Sequence, residues 1–102
     1  MSPQDQLTAA RSLVDQVAAI VRRERYDGLV WAQRLERIAA VLDDDEFPVA
    51  ERLAAAQVMV REMYAGPRNF ADFHLFRGEP ATVAEDNRRL SVLTAELTEV
   101  LT

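Results

Sequence analysis

Residues 66–78 read Gly-Pro-Arg-Asn-Phe-Ala-Asp-Phe-His-Leu-Phe-Arg-Gly and separate two long stretches of helical pattern. This aromatic segment holds three of the four phenylalanines and the only histidine of the chain. Asn69 is a residue type that caps helices, which favours a short helix or 3₁₀ turn from Asn69 to about His74 and then an extended piece to Gly78. Alternation of Phe73 and Leu75 with polar neighbours leaves a fully extended conformation open.

The aromatic rings of this segment allow two interpretations. Each phenylalanine can bury about 150–250 Å², so three of them can form a plug that closes one end of a helical core. Alternatively, the rings form an exposed surface that grips a partner, because aromatic residues are enriched at binding hot spots. A plug that presents one ring outward combines the two.

Four amphipathic helices are predicted around this segment. Apolar residues recur at three- and four-residue steps over about residues 3–25, 29–42, 49–64 and 83–101. Ser2 followed by Pro3 indicates the start of the first helix, and Gly66 followed by Pro67 the end of the third. Thr82 with Glu85 three residues later forms a capping box for the fourth. Between the first two helices, either Gly28 adopts a left-handed conformation that ends the first helix, or Asp27 caps the second.

These patterns predict an all-α fold. We expect a four-helix antiparallel bundle-like domain, with the aromatic segment as an irregular connection between helices three and four. A chain of 102 residues usually forms one domain, here residues 1–102. Three glycines and four prolines are too few for the turns of an all-β chain. No apolar run approaches a membrane span of ~20 residues and no signal-peptide pattern is present, so we expect a cytoplasmic protein that does not enter a membrane.

Composition also excludes several kinds of site. The chain has no cysteine, which rules out disulfides, zinc thiolates and a cysteine nucleophile. With one histidine and no carboxylates at ligand spacing, we expect neither a metal nor a cofactor. The net charge of −5 repels nucleic-acid phosphates, so nucleic acid is disfavoured as a partner, whereas a basic protein partner suits this charge.

Two groups of residues are candidates for binding such a partner. The first is an acidic run at the end of the second helix, which is either a solvated connector or a contact patch: Asp43, Asp44, Asp45 and Glu46. The second comprises the polar side chains and the last ring of the aromatic segment: Arg68, Asp72, His74 and Phe76.

Other functions have weaker support in the residues. His74 and Asp72 are two positions apart and point away from each other on a helix, and no activated nucleophile is visible, so we expect no enzyme. The alternative is a ligand-binding or catalytic site lined by Tyr64, Arg68, Asp72 and His74. A third hypothesis is a nucleic-acid regulator with a basic patch of Arg22, Arg23, Arg25, Arg34 and Arg37. A homodimer is also open, with a face near Tyr26, Trp31 or Met59.

Motifs in the C-terminal portion carry a resemblance. They are Tyr64-Ala65-Gly66, Asn69-Phe70-x-Asp72-Phe73, Gly78-Glu79-Pro80 and Glu85-Asp86-Asn87-x-x-Leu90. Over about residues 59–101 the chain resembles a family of small bacterial proteins of unknown function, although Pro67-Arg68 replaces a more glycine-rich turn. The resemblance implies a helical bacterial domain with no activity to carry over. Some small acidic proteins of this type resemble immunity proteins of toxin systems. The leading hypothesis is therefore a non-catalytic protein–protein interaction module, with an immunity-type inhibitor as one form of it.

Overall fold

The computed structural model describes all 102 residues and confirms the all-α prediction. Its helices are α1 (Pro3–Val21), α2 (Asp27–Asp43), α3 (Val49–Met63) and α4 (Pro80–Val100). A single 3₁₀ turn, Phe70–Asp72, lies in the aromatic segment between α3 and α4. None of these helices is both long enough and apolar enough to cross a membrane.

Side-chain contacts show that neighbouring helices run antiparallel. Arg11 in the first half of α1 bonds Asp43 at the end of α2, and Gln6 donates to the carbonyl of Val100 at the end of α4 over 2.5 Å. Beyond the other end of α1, Arg23 pairs with Asp86 near the start of α4. The molecule therefore has an acidic end, where α1 and α3 begin and α2 and α4 finish, and an opposite aromatic end.

The core is centred on α1. Twenty-three buried apolar side chains form one cluster, to which all four helices contribute. α1 packs against the three other helices and α2 also packs against α3, but α4 rests on α1 and scarcely touches α2 or α3. An open groove consequently remains between the end of α3 and the outer side of α4.

The break between α1 and α2 differs from both expectations. α1 ends at Val21, four residues earlier than predicted, and α2 begins at Asp27 after Tyr26, whose φ of 64° is unusual for a non-glycine residue. Gly28 lies inside α2, where an added Cβ would stand 2.0 Å from the carbonyl oxygen of Val21. A glycine is needed here because the two helices approach closely, not because the backbone turns left-handed.

The start of α4 also corrects the prediction. The helix begins at Pro80, and the carboxylate of Glu79 accepts hydrogen bonds from the backbone N–H and the hydroxyl of Thr82, at 3.3 and 3.1 Å. Thr82 therefore lies within the first turn and is not the cap. Proline at the first helical position fixes the earlier start. The other two predicted signals are confirmed, since Ser2 caps α1 and Gly66 after α3 has a φ of 88°.

Candidate functional site

The buried part of the aromatic segment is a ring cluster around Phe70. The centroid of its ring lies 5.0 Å from that of Trp31 and 5.8 Å from those of Tyr64 and Phe73. Asn69 starts the 3₁₀ turn, because its Oδ1 accepts from the N–H of Ala71 at 2.8 Å. The plug interpretation is thus correct for Phe70, which is buried, and for Phe73, which is half-buried. It is wrong for Phe76, which is 62% exposed.

Asn87 of α4 holds the extended piece that follows. Its Oδ1 accepts from the N–H of Leu75 at 2.7 Å, and its Nδ2 donates to the carbonyl of Leu75 at 2.8 Å. The amide thus pairs both backbone groups of one residue, as a neighbouring strand would. Because the side chain of Leu75 is buried, these two bonds fix where the segment lies on the bundle.

Glu24, in the link between α1 and α2, holds the next two residues. Its Oε1 accepts from the N–H groups of Phe76 and Arg77, at 2.8 and 2.9 Å. Its Oε2 lies 3.7 Å from Nε of Arg77 and accepts no hydrogen bond. The residue is only 2% exposed. Burial acts to raise the pKa of Glu24, but the two backbone N–H groups and the positive charge of Arg77 outweigh it and lower the pKa below its ordinary value.

The ring of Phe76 projects from this fixed backbone into solvent. The guanidinium carbon of Arg77 lies 5.5 Å from the centroid of the ring, and the imidazole of His74 lies 6.0 Å away. Further large apolar side chains are exposed at the same end, on the α1–α2 link and the first turn of α2. We define the aromatic tip as four residues: Tyr26, Leu29, Val30 and Phe76.

The alternative ligand site around His74 is not assembled as predicted. The Nδ1 of His74 lies 3.3 Å from the backbone carbonyl oxygen of Asp72, and the Asp72 carboxylate makes no bond to the imidazole. Arg68 and Asp72 are exposed, and neither forms an ion pair. His74 and Tyr64 do share the groove beside α4. Burial raises the pKa of the Tyr64 hydroxyl above its ordinary value.

This groove has a volume of about 620 Å³ and is walled by the ring cluster on one side. The other side is the outer surface of α4, which contributes small and hydroxyl side chains. Its main lining residues are Tyr64, Phe70, Phe73, His74, Leu90, Ser91, Thr94, Ala95 and Thr98. Two of the hydroxyls, on Thr94 and Thr98, already donate to carbonyls within α4. The floor of the groove therefore offers shape and apolar surface more than free hydrogen-bond donors.

The acidic run lies at the opposite end of the molecule. Asp43 accepts from Nε of Arg11 at 2.9 and 3.0 Å, and Oδ1 of Asp44 accepts from the N–H of Glu46 at 3.2 Å. The side chains of Asp45 and Glu46 are exposed and form no ion pair. α2 alone separates this run from the aromatic tip by roughly 25 Å, at 1.5 Å per residue. The two candidate groups therefore do not form one surface.

The predicted arginine patch is divided among other contacts. Arg22 pairs with Glu36 at 2.6 Å, Arg23 pairs with Asp86, and the guanidinium of Arg34 lies 5.0 Å from the ring centroid of Trp31. No group of three His, Cys, Asp or Glu residues is placed to hold a metal ion.

Sequence reasoning missed the two residues that position the segment, Glu24 and Asn87. Glu24 did carry a signal, because it is the only acid among Arg22, Arg23 and Arg25 at a helix end, where the negative dipole disfavours a carboxylate. An acid in such a place indicates a compensating partner. Asn87 entered the prediction only as part of the Glu85-Asp86-Asn87-x-x-Leu90 motif, and nothing in its spacing indicated that its side chain binds the backbone of Leu75.

Comparison with known proteins gives no relative for this chain. It matches no protein-family model, no curated protein and no solved structure. The resemblance of residues 59–101 to small bacterial proteins of unknown function stays a prediction.

Proposed function

We propose that this chain is a non-catalytic protein-binding module whose contact surface is the aromatic tip. The observation that carries the proposal is the exposed ring of Phe76 on a backbone that Asn87 and Glu24 fix from two sides. An anchor that is ordered before binding loses little conformational entropy when a partner covers it. Phenylalanine is enriched at protein interfaces, and tyrosine and arginine are among the residue types that dominate binding energy there.

The surroundings of the tip suit a protein partner. Arg68, Asp72 and His74 are exposed on the aromatic segment, where they would form a polar rim around the anchor.

The acidic end contributes to association at longer range. Asp45 and Glu46 are unpaired there, and the chain as a whole carries a charge of −5, so a basic partner would be attracted before contact. If that partner is a basic toxin, the chain is an immunity-type inhibitor, which is the form that the resemblance favours.

The test compares two variants of the full chain, each tagged and used to recover proteins from extracts of the native host. Phe76→Ala removes the anchor, and Val92→Ala removes a comparably exposed apolar side chain from α4. We expect a specific partner whose affinity falls at least tenfold with Phe76→Ala and is unchanged by Val92→Ala. Equal recovery of that partner by both variants, or no specific partner at all, contradicts the proposal.

The contribution of the acids is tested in the same complex. Replacing Asp45 and Glu46 by serine should slow association and weaken its dependence on salt, with little change in the dissociation rate. An unchanged association rate would show that the acidic end has no part in recognition.

A further inference from the structure

The side of α4 that faces the groove packs against no other helix of the chain and is covered only in part, by the ring cluster beside it. A stripe on this side follows helical spacing, i, i+3, i+4 and i+7, and consists of small residues, exposed except for half-buried Thr94: Ser91, Thr94, Ala95 and Thr98. Small side chains allow the backbone of a second helix to approach closely. The ring cluster beside the stripe supplies an apolar wall against which such a helix can pack.

The dimensions of the molecule favour an interface along its side. The principal extents are 43, 26 and 19 Å. A standard interface covers about 800 Å² on each partner, and a side 43 Å long offers more area toward it than an end of 26 by 19 Å. A second copy of the chain would therefore meet the first along the groove and not tip to tip.

The stripe is self-complementary. A two-fold axis between Thr94 and Ala95 places Ser91 of one copy opposite Thr98 of the other, in an antiparallel pair of α4 helices. On helical geometry, Arg88 and Glu99 lie about 70° and 90° from the centre of the stripe, on the same edge. In an antiparallel pair the same edges meet, so Arg88 comes within about two residues of Glu99 of the second copy.

The charges agree with this arrangement. Within one chain Arg88 pairs only with Glu85 of its own helix, and both side chains are about two-thirds exposed. An ion pair so exposed is weak, so Arg88 can leave Glu85 and pair with Glu99 of a second copy. An antiparallel dimer also places each acidic end beside the aromatic end of the other copy, which keeps the two acidic ends apart.

We propose that the groove between α3 and α4 is occupied by α4 of a second copy, in an antiparallel homodimer closed by two symmetric Arg88–Glu99 ion pairs. This proposal goes beyond the binding function of the aromatic tip and does not depend on it. None of the four tip residues lines the groove, so the dimer presents two free tips.

The test is sedimentation equilibrium of the full chain, with circular dichroism to show that each variant stays helical. The wild type should sediment as a species of twice 11.5 kDa. Arg88→Glu and Glu99→Arg should each raise the dissociation constant at least tenfold, and the double variant should restore it. Ala95→Trp should give monomers, because an indole cannot fit between two closely packed helices. Arg89→Glu is the matched control, since Arg89 lies on the opposite side of α4, and it should leave the dimer intact.

Three results would overturn the proposal. The first is a wild-type chain that stays at 11.5 kDa up to about 1 mM. The second is a dimer that survives both Ala95→Trp and Arg88→Glu, which would place the interface elsewhere. The third is a double charge reversal that fails to recover the dimer.

Discussion

The two ends of the bundle connect their helices in opposite ways. At the aromatic end a long segment crosses from α3 to α4, and the side chains of buried Glu24 and half-buried Asn87 hold its backbone. At the acidic end a short link joins α2 to α3, and Arg52 holds it from the surface by donating to the carbonyls of Leu42 and Phe47.

Two carboxylates near helix ends make the comparison concrete. Glu24 follows a helix and accepts at one oxygen from two backbone N–H groups, whereas Asp43 finishes a helix and accepts at both oxygens from the single Nε–H of Arg11. Glu24 is 2% exposed, whereas the side chain of Asp43 is 57% exposed. Water competes for Asp43 and not for Glu24, so similar bonding has different energetic weight. Burial, and not the number of hydrogen bonds, should therefore decide how much each end contributes to the free energy of unfolding, and we expect the aromatic end to contribute more.

The largest difference should come from the rings. Phe70→Ala removes the buried centre of the ring cluster and should lower the free energy of unfolding by about 3–5 kcal/mol in urea titrations. Phe47→Ala at the acidic end removes a half-exposed ring and should cost about 0.5 kcal/mol. Equal costs for the two variants would mean that the aromatic segment does not close the core.

The next effect concerns Asn87. Asn87→Ala leaves the N–H and carbonyl of Leu75 without partners beside a buried side chain, and should cost about 1–3 kcal/mol in the same titration. Asn87→Asp keeps the acceptor for the N–H but sets a second carboxylate oxygen against the carbonyl of Leu75, so at pH 7 it should cost at least as much as Asn87→Ala. The control is Arg89, an exposed residue of the same helix that forms no ion pair, and its replacement by alanine should cost no more than about 0.5 kcal/mol. If all three variants unfold alike, the amide does not hold the segment.

A pH dependence should distinguish Glu24. Its pKa is lower in the folded than in the unfolded chain, so its contribution to stability is present above the ordinary carboxyl value of 4.5 and is lost as the pH falls through the folded-state pKa. Glu24→Gln should cost about 1 kcal/mol at pH 7, because a neutral acceptor replaces a charged one. That deficit should shrink below pH 4.5 in thermal or urea unfolding. A deficit that is the same at pH 7 and pH 3 would assign it to packing and not to charge.

The smallest effect is expected at Asp43. Asp43→Asn weakens an exposed pair with Arg11 and should cost about 0.2–1 kcal/mol. In 1 M salt the cost should approach zero, because screening acts fully on exposed charges. The cost of Asn87→Ala should not change with salt, which makes that variant the internal reference. A salt-insensitive cost at Asp43 would place this carboxylate in the same class as Glu24.

Local signals in the sequence predicted much of the fold. The apolar spacing located all four helices, and Ser2, Asn69 and Gly66 have the capping or left-handed roles expected of them. These signals succeed because caps and amphipathic faces depend on residues a few positions apart. The start of α4 is the exception, because two residues there can cap the helix. The helix begins with Glu79 as its cap and not with Thr82, since proline at the first helical position fixes the start at Pro80.

The positions of the candidate site residues were less predictable. The bonds from Glu24 to Phe76 and Arg77 span 52 and 53 positions, and no local pattern encodes a partner so distant. The spacing of leucines in α4 shows which side is apolar but not which helices cover it. The groove therefore could not be foreseen, since it exists only because α4 packs on α1 and not on α3.

That same packing sets the cooperativity of the molecule. α1, α2 and α3 assemble through short links, whereas the bonds that join α4 to the rest span 63 positions at Arg23–Asp86 and 94 at Gln6–Val100. Closing so long a loop costs more conformational entropy than bringing together helices that are joined by short links. α4 should therefore behave as a separate cooperative unit, which detaches at a lower free energy than global unfolding. In native-state hydrogen exchange its central amide protons should exchange before those of α1, and each such opening would bare the side of α1 that α4 covers.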